Sequence, residues 1–213
     1  MTATGSGGNP PDPRWCWVGR PCPRSSSAYA TLGYAVFACD MFGDGVAGDR
    51  ERVIACLTSL RDDPAELVAR GRAGMAALAS CPEVSGRMAA IGFCFGGMAV
   101  LALARAGAEL AGAVSMHGSL RTSAPADLGS VTARVLVCHG AADPHVPLGD
   151  VVAFSEEMDR AEADWQLNMY GGAVHGFTHQ HAVAGMIPGV AYDAQTDQRS
   201  FEHVRGFLSE VLR

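Results

Sequence analysis

From Tyr34 onward the chain alternates short, continuously apolar runs with longer segments whose apolar residues recur at helical spacing. The runs are YAVFACD at 34–40, RMAAIGF at 87–93, AGAVSMH at 111–117, RVLVCHG at 134–140 and WQLNMYG at 165–171. A strand with one wet face alternates apolar and polar residues, whereas a strand covered on both faces is apolar throughout. These runs therefore predict parallel strands buried between two layers. Helices are predicted near 49–60, 64–79, 95–106, 148–163 and 198–212. Asp63-Pro64 gives the second a proline at its first position, and Pro147 opens the fourth. In the last, Phe201, Val204, Phe207, Leu208 and Val211 share one face and read as core contacts. Strand and helix in alternation predict a doubly wound α/β domain with right-handed crossovers.

The first 28 residues, MTATGSGGNPPDPRWCWVGRPCPRSSSA, break this pattern. Five of the eleven prolines and two of the three tryptophans fall here, and the segment is read as holding no strand. The expected organisation is an irregular segment at 1–28, disordered or mis-framed, followed by a single domain at 29–213. A sheet that begins at Tyr34 is expected to lack, or to have replaced, its N-terminal strands. All sixteen basic residues are arginine, which with abundant Ala and Gly points to GC-rich coding DNA. Another frame of such DNA would yield the Pro, Arg, Trp, Cys and Ser richness of 1–28, so a frameshift or misplaced start is expected there.

Composition narrows the function. A net charge of −6 with no basic stripe offers no phosphate-neutralising surface, which argues against nucleic acid or anionic membrane as partner. No apolar run approaches the roughly 20 residues that span a bilayer, and the N-terminus lacks the apolar core of a signal peptide. The expectation is a cytoplasmic protein acting on small molecules without a cofactor. Seven cysteines, mostly inside apolar segments, suit reduced thiols rather than a disulfide framework. Cys39, Cys56, Cys81 and Cys138 read as core or near-core thiols, and Cys16 and Cys22 have no nearby histidine pair for zinc.

One cysteine stands apart. In GFCFGG, Gly92 to Gly97, Cys94 sits where an apolar run meets a helical one, flanked by the small residues that a sharp strand-to-helix turn demands. A helix starting at about Phe95 aims unpaired N–H groups at that side chain, favouring thiolate and offering the Phe95 N–H to a developing oxyanion. Two later loops complete a pattern. VLVCHGAADPHVP places Asp143 in a turn after one strand, and MYGGAVHGFTH places His175 in a loop after the next. Nucleophile, acid, histidine is the chain order of α/β-hydrolase triads.

GFCFGG, HGAADPHVP and VHGFTH, with the closing GVAYDAQTDQRSFEHVRGFLSEVL, resemble the dienelactone hydrolase family, from about Tyr29 to the C-terminus. The resemblance implies an α/β-hydrolase fold in which Cys94 attacks an ester or lactone carbonyl, His175 shuttles the proton, Asp143 fixes the imidazole tautomer and the Phe95 N–H holds the oxyanion. It also implies a strand ending in glutamate before YAVFACD, with a second oxyanion donor after it; Glu51 is the first glutamate here and comes too late. The family's arginine four residues after the histidine is His179. Arg50, Arg52 and Arg61 are alternative carboxylate partners, each also readable as a surface residue. His117, at a strand end, lines the pocket or merely ends the strand. His139 and His145 are assigned to the Asp143 turn. His175, His179 and His181 do not make a metal site, with Gly176 between them and no carboxylate beside them. The competing expectation is a truncated or non-catalytic member of the fold that only binds.

Overall fold

The computed structural model describes residues 14–19, 23–43, 46, 49–82, 84 and 86–213. Its elements in chain order are β1 (Arg14–Gly19), α1 (Pro23–Thr31), β2 (Tyr34–Cys39), α2 (Arg50–Asp62), α3 (Pro64–Ala79), β3 (Met88–Phe93), α4 (Phe95–Arg105), β4 (Gly112–Met116), β5 (Arg134–Gly140), α5 (Leu148–Arg160), β6 (Trp165–Tyr170) and α6 (Ala194–Val211). The strands form one sheet in the order β2-β1-β3-β4-β5-β6, and every neighbouring pair is parallel.

The five runs are β2 to β6, and for β3, β4 and β5 the reason for their continuous hydrophobicity is visible in how side chains divide between the sheet's faces. Ala89, Ile91, Val114, Met116, Leu136 and Cys138 join one buried cluster with Tyr29 of α1 and Val204, Phe207, Leu208 and Val211 of α6. The alternate residues Ala90, Ala113, Val135 and Val137 join another with Leu60 of α2, Leu67 and Met75 of α3, Val100 and Leu103 of α4, and Val151 and Phe154 of α5. Period-two alternation thus sends successive side chains into two different cores.

Helix starts follow the side chains available to cap them. Asp49 accepts from the Arg52 N–H, Asp63 from Glu66 and Asp193 from Thr196. The Asp193 cap starts α6 at Ala194, four residues before the apolar spacing alone placed it. Between α4 and α5, both carboxylate oxygens of Glu157 take 2.8 Å hydrogen bonds from Arg105. Arg105 also donates to the Leu120 carbonyl, and Glu157 accepts from the Ala126 N–H, so this buried pair ties a loop to two helices.

The N-terminal expectation needs correcting. The segment 1–28 is not irregular throughout: RWCWVG forms β1, which lies inside the sheet between β2 and β3, and α1 begins at Pro23. The folded unit therefore starts before residue 29. The run of Trp, Cys, Trp and Val has high strand propensity, but the prolines crowded on both sides masked it, and Pro23 is an ordinary first helical residue. Residues 1–13 and 20–22 lie outside the described residues. The latter span the place after β1 where the resemblance implies a glutamate and a second oxyanion donor; the sequence there is Arg20-Pro21-Cys22.

Candidate active site

In this order the chain moves from β1 outward to β2 and then crosses back to β3 on β1's other side. Such a reversal opens a crevice at the carboxyl ends of the two strands, where open α/β sheets bind ligands. Gly19 of β1 and Gly92 of β3 are register partners at that edge, and two residues past Gly92 stands Cys94.

Cys94 has φ 54° and ψ −116°, a region that L-residues rarely occupy and that must be held by its surroundings. The surroundings leave little choice. A Cβ on Gly92 would lie 1.9 Å from the Gly96 carbonyl oxygen, and one on Gly97 would lie 2.6 Å from Ser115 Oγ, so only glycine lets the strand turn this sharply into α4. The Cys94 N–H donates to the Met116 carbonyl at 3.0 Å, which extends the β3–β4 ladder one residue into the turn. The thiol is thereby held out at the exposed edge, where the neighbouring Phe95 N–H favours its thiolate form.

The other two residues arrive from neighbouring strand ends. Cys94 Sγ is 2.8 Å from His175 Nε2, and His175 Nδ1 is 2.8 Å from Asp143 Oδ2. The remaining oxygen, Asp143 Oδ1, accepts from the His145 N–H at 2.8 Å, so the carboxylate is fixed at both ends. A Cβ on Gly140 would sit 2.6 Å from the Ala173 carbonyl oxygen; this glycine lets the Asp143 turn approach the His175 loop. That loop is pinned by His175 N–H to Gly189 O and Ala191 N–H to His175 O.

Electrostatics within the cluster are cooperative. Burial pushes the Cys94 thiol up, but the hydrogen bond and charge of His175, with the Phe95 N–H, outweigh it and hold the thiol below its ordinary value. For His175, burial works downward while Asp143 and Cys94 work upward, leaving it pushed up to about 10. Burial also raises Asp143, but His175 and the His145 N–H bring it below the carboxylate norm. All three shifts run toward the charged forms: thiolate, imidazolium and carboxylate.

Around this line the structure places residues that the sequence left undecided. His117, just past β4, is buried with φ 40°. Its Nε2 is 2.8 Å from Thr178 Oγ1 and its ring meets that of His175 edge-on at 5.4 Å. His145 approaches His175 at the same centroid distance, and its Nε2 is 3.0 Å from the Pro188 carbonyl. His139 is buried in β5. Phe42, after β2, packs on Phe95 with centroids 5.3 Å apart, and its loop is held by Arg70, which donates to the Met41 and Phe42 carbonyls. Nothing in the sequence pairs Arg70 with that loop, since the contact spans 28 residues. Arg52 and Arg61 lie on α2, and Arg61 pairs with Asp62 at the surface. His179 and His181 contact each other edge-on. Among the described residues the grouping of possible metal-ligand atoms is instead Cys94, His117 and His175, all within 4.8 Å, with Cys94 and His175 already bonded to one another. Cys39 and Cys138 are buried, Cys56 and Cys81 half-buried; burial pushes the Cys138 thiol up to about 12.

Comparison with known proteins agrees with this architecture. The dienelactone hydrolase family model matches residues 22–212. An uncharacterised protein of Caenorhabditis elegans is 36% identical over 156 residues, covering 71% of this chain and 98% of the worm protein. A carboxymethylenebutenolidase homolog of Pongo abelii is 29% identical over 91 residues, 42% of this chain and 36% of that one. Among solved structures, m3DLH aligns with a TM-score of 0.87 at 38% identity over 95% of this chain and 89% of its own. A dienelactone hydrolase-like promiscuous phosphotriesterase from metagenomic libraries aligns with a TM-score of 0.87 at 35% identity, over 97% and 89% of the two chains.

Proposed function

Because the chain belongs to the dienelactone hydrolase family, we propose that it hydrolyses activated carboxylic esters or lactones through an acyl-cysteine intermediate, with Cys94, His175 and Asp143 as its triad. The observation that carries this reading is the unbroken line of 2.8 Å contacts from Cys94 Sγ through His175 to Asp143, at the mouth of the sheet's crevice.

The thiolate attacks the carbonyl carbon, and the oxygen becomes an oxyanion beside the Phe95 N–H at the start of α4. The imidazolium of His175 gives its proton from Nε2 to the leaving oxygen as the C–O bond breaks. Asp143 holds the other ring nitrogen as a donor, so Nε2 is the one free to exchange protons. Water then attacks the thioester, His175 takes its proton, and the C–S bond breaks to release the acid and restore the ion pair.

Sulfur restricts the substrate. A thiolate leaves a tetrahedral intermediate more readily than an amine does, so an amide adduct collapses backward, whereas enol and aryl oxygens leave forward. Enol lactones and aryl esters are therefore the expected class, ahead of alkyl esters and far ahead of peptides. The test is hydrolysis of an enol lactone, an aryl ester and a peptide amide by the parent and by Cys94→Ala, with iodoacetamide alkylation of the parent followed against pH. Turnover of the first two that disappears in Cys94→Ala, and alkylation of Cys94 well below pH 8, support the proposal. Uniformly slow alkylation without turnover favours the binding-only alternative.

A further inference from the structure

We propose that His117 holds and aligns the water that hydrolyses the acyl-cysteine, acting beside His175 as a second imidazole specific to deacylation. The inference rests on the triad reading above and adds a role for a residue which that reading leaves idle.

The first observation is position. A ring nitrogen of His117, a ring nitrogen of His175 and Cys94 Sγ all lie within 4.8 Å of one another. Two nitrogens at such a separation are bridged by one water with hydrogen bonds of about 2.8 Å to each and a near-tetrahedral angle between them. With Cys94 acylated, the carbonyl carbon is one bond from sulfur, so a water in that bridge lies at the distance of attack. The second observation is an unspent polar atom. His117 is 3% exposed, and its Nδ1 has no hydrogen-bond partner among the described residues, although buried polar atoms are ordinarily satisfied. The third is strain. A non-glycine residue at φ 40° persists only where its surroundings enforce it, and here the enforcement is specific: the His117 N–H donates to the Cys138 carbonyl at 2.8 Å, and Thr178, three residues past His175, holds Nε2.

Protonation suits the role. Burial, reinforced by the nearby charge of His175, pushes His117 down to about 3. It therefore stays neutral while His175 cycles, keeping one nitrogen lone pair to orient water and adding no cation beside the imidazolium.

In the step itself, the water oxygen bonds to the acyl carbon while one water proton passes to His175 Nε2. The other remains on the nascent acid, and the C–S electron pair returns to Cys94 as thiolate. His117 gains and loses nothing; it fixes the water's orientation. Acylation uses no water, so it does not need His117.

The experiment separates the half-reactions. Parent, His117→Asn and Thr178→Val are mixed with p-nitrophenyl acetate, nitrophenolate release is followed by stopped flow, and acyl-Cys94 is quantified by acid quench and mass spectrometry. Asparagine tolerates positive φ but is too short to replace the ring. In both variants the decay of acyl-Cys94 is expected to slow, about three- to tenfold for His117→Asn, the range for losing one hydrogen bond, and less for Thr178→Val. The acylation rate serves as the control for folding, and hydroxylamine, which needs no held water, is expected to restore turnover more in the variants than in the parent. Equal decay constants in all three proteins overturn the inference while leaving the acyl-cysteine reading intact. Product formation with no acyl-Cys94 trapped in any of them overturns both. Should His117→Asn fail to fold, the Thr178→Val decay decides: slowed supports the role and unchanged refutes it.

Discussion

Replacing Asp143 with asparagine tests the electrostatic core of the site without altering its shape. The side chain is buried and both oxygens are used: Oδ1 accepts from the His145 N–H and Oδ2 faces His175 Nδ1, each at 2.8 Å. An amide there keeps the first contact only by turning its oxygen to His145, which points its NH₂ group at His175 Nδ1. That nitrogen must then be the unprotonated one, and Nε2 carries the hydrogen in the neutral ring. The ring is left in the tautomer that cannot accept a proton from water. Two magnitudes bracket the loss. A hydrogen bond to a charged group is worth about 1.5–3 kcal/mol, or about ten- to hundredfold in rate. The same substitution in a Ser-His-Asp enzyme, where tautomer and charge are lost together, costs about 10⁴. Because a thiol lowered toward thiolate needs a base less than a serine hydroxyl does, the proposed mechanism gives a fall in kcat of about 10² to 10³ with KM little changed. Asp143 also helps to hold His175 at about 10 against the downward pull of burial. Its removal is expected to move the His175 titration, followed by the ring proton resonances, down by about one to two pH units. Aryl ester kinetics with that titration make the assay; an Asn variant within about threefold of the parent, with an unmoved titration, refutes the reasoning.

Three further outcomes are expected. Gly92→Ala places a Cβ 1.9 Å from the Gly96 carbonyl, a backbone clash that forces the elbow open; activity should vanish and urea unfolding should show a loss of more than about 2 kcal/mol. Glu157→Ala leaves the buried Arg105 guanidinium uncompensated and should cost about 3–5 kcal/mol, read from the same denaturation curves. Burial raises the Glu157 carboxyl, but Arg105 and the Ala126 N–H outweigh it and hold it below its ordinary 4.5. The stability this depression supplies is present above that value and is lost as pH falls through the folded one, so the parent's melting temperature should drop on acidification more steeply than that of Glu157→Gln.

The sequence pattern located β2 to β6 and five of the helices; β3, β4 and β5 were plainest because they are covered on both faces, while the edge strand β6, with Gln166 and Asn168 alternating with apolar residues, was still marked by its apolar partners. It missed β1, which is as long as β2, β3 and β6, because prolines on both sides dominated the composition of the window. The candidate site was readable where its chemistry is local. Cys94 lies in a glycine-marked turn, Asp143 and His175 follow strand ends, and chain order alone suggests their partnership. His117 was ambiguous because its meaning depends on β4 lying between β3 and β5, and lateral strand order leaves no trace in the run AGAVSMH. Arg70 was invisible for a similar reason, since its partners are backbone carbonyls of a loop far away in sequence.

What makes the arrangement accurate is a row of hydrogen bonds just beyond the sheet's regular ladder. Cys94 N–H bonds to Met116 O, His117 N–H to Cys138 O and Ala141 N–H to Tyr170 O, so each strand's exit is tied to the strand beside it in the order β3, β4, β5, β6. Two of these tied residues, Cys94 and His117, are two of the three non-glycine residues with positive φ among those described. Strain of this kind costs about 1–3 kcal/mol per residue, and an isolated turn would relax it. Here relaxation would also break the bond to the next strand, so the backbone that aims the sulfur and the one that aims the His117 imidazole are held by the same row. A change that loosens β4 without touching either side chain should therefore disturb both half-reactions at once. Ser115, whose Oγ would be only 2.5 Å from a Cβ on Gly118, offers that test: Ser115→Val crowds Gly97 and Gly118 together, and a variant that slows acylation but spares deacylation would show that the two exits are not coupled.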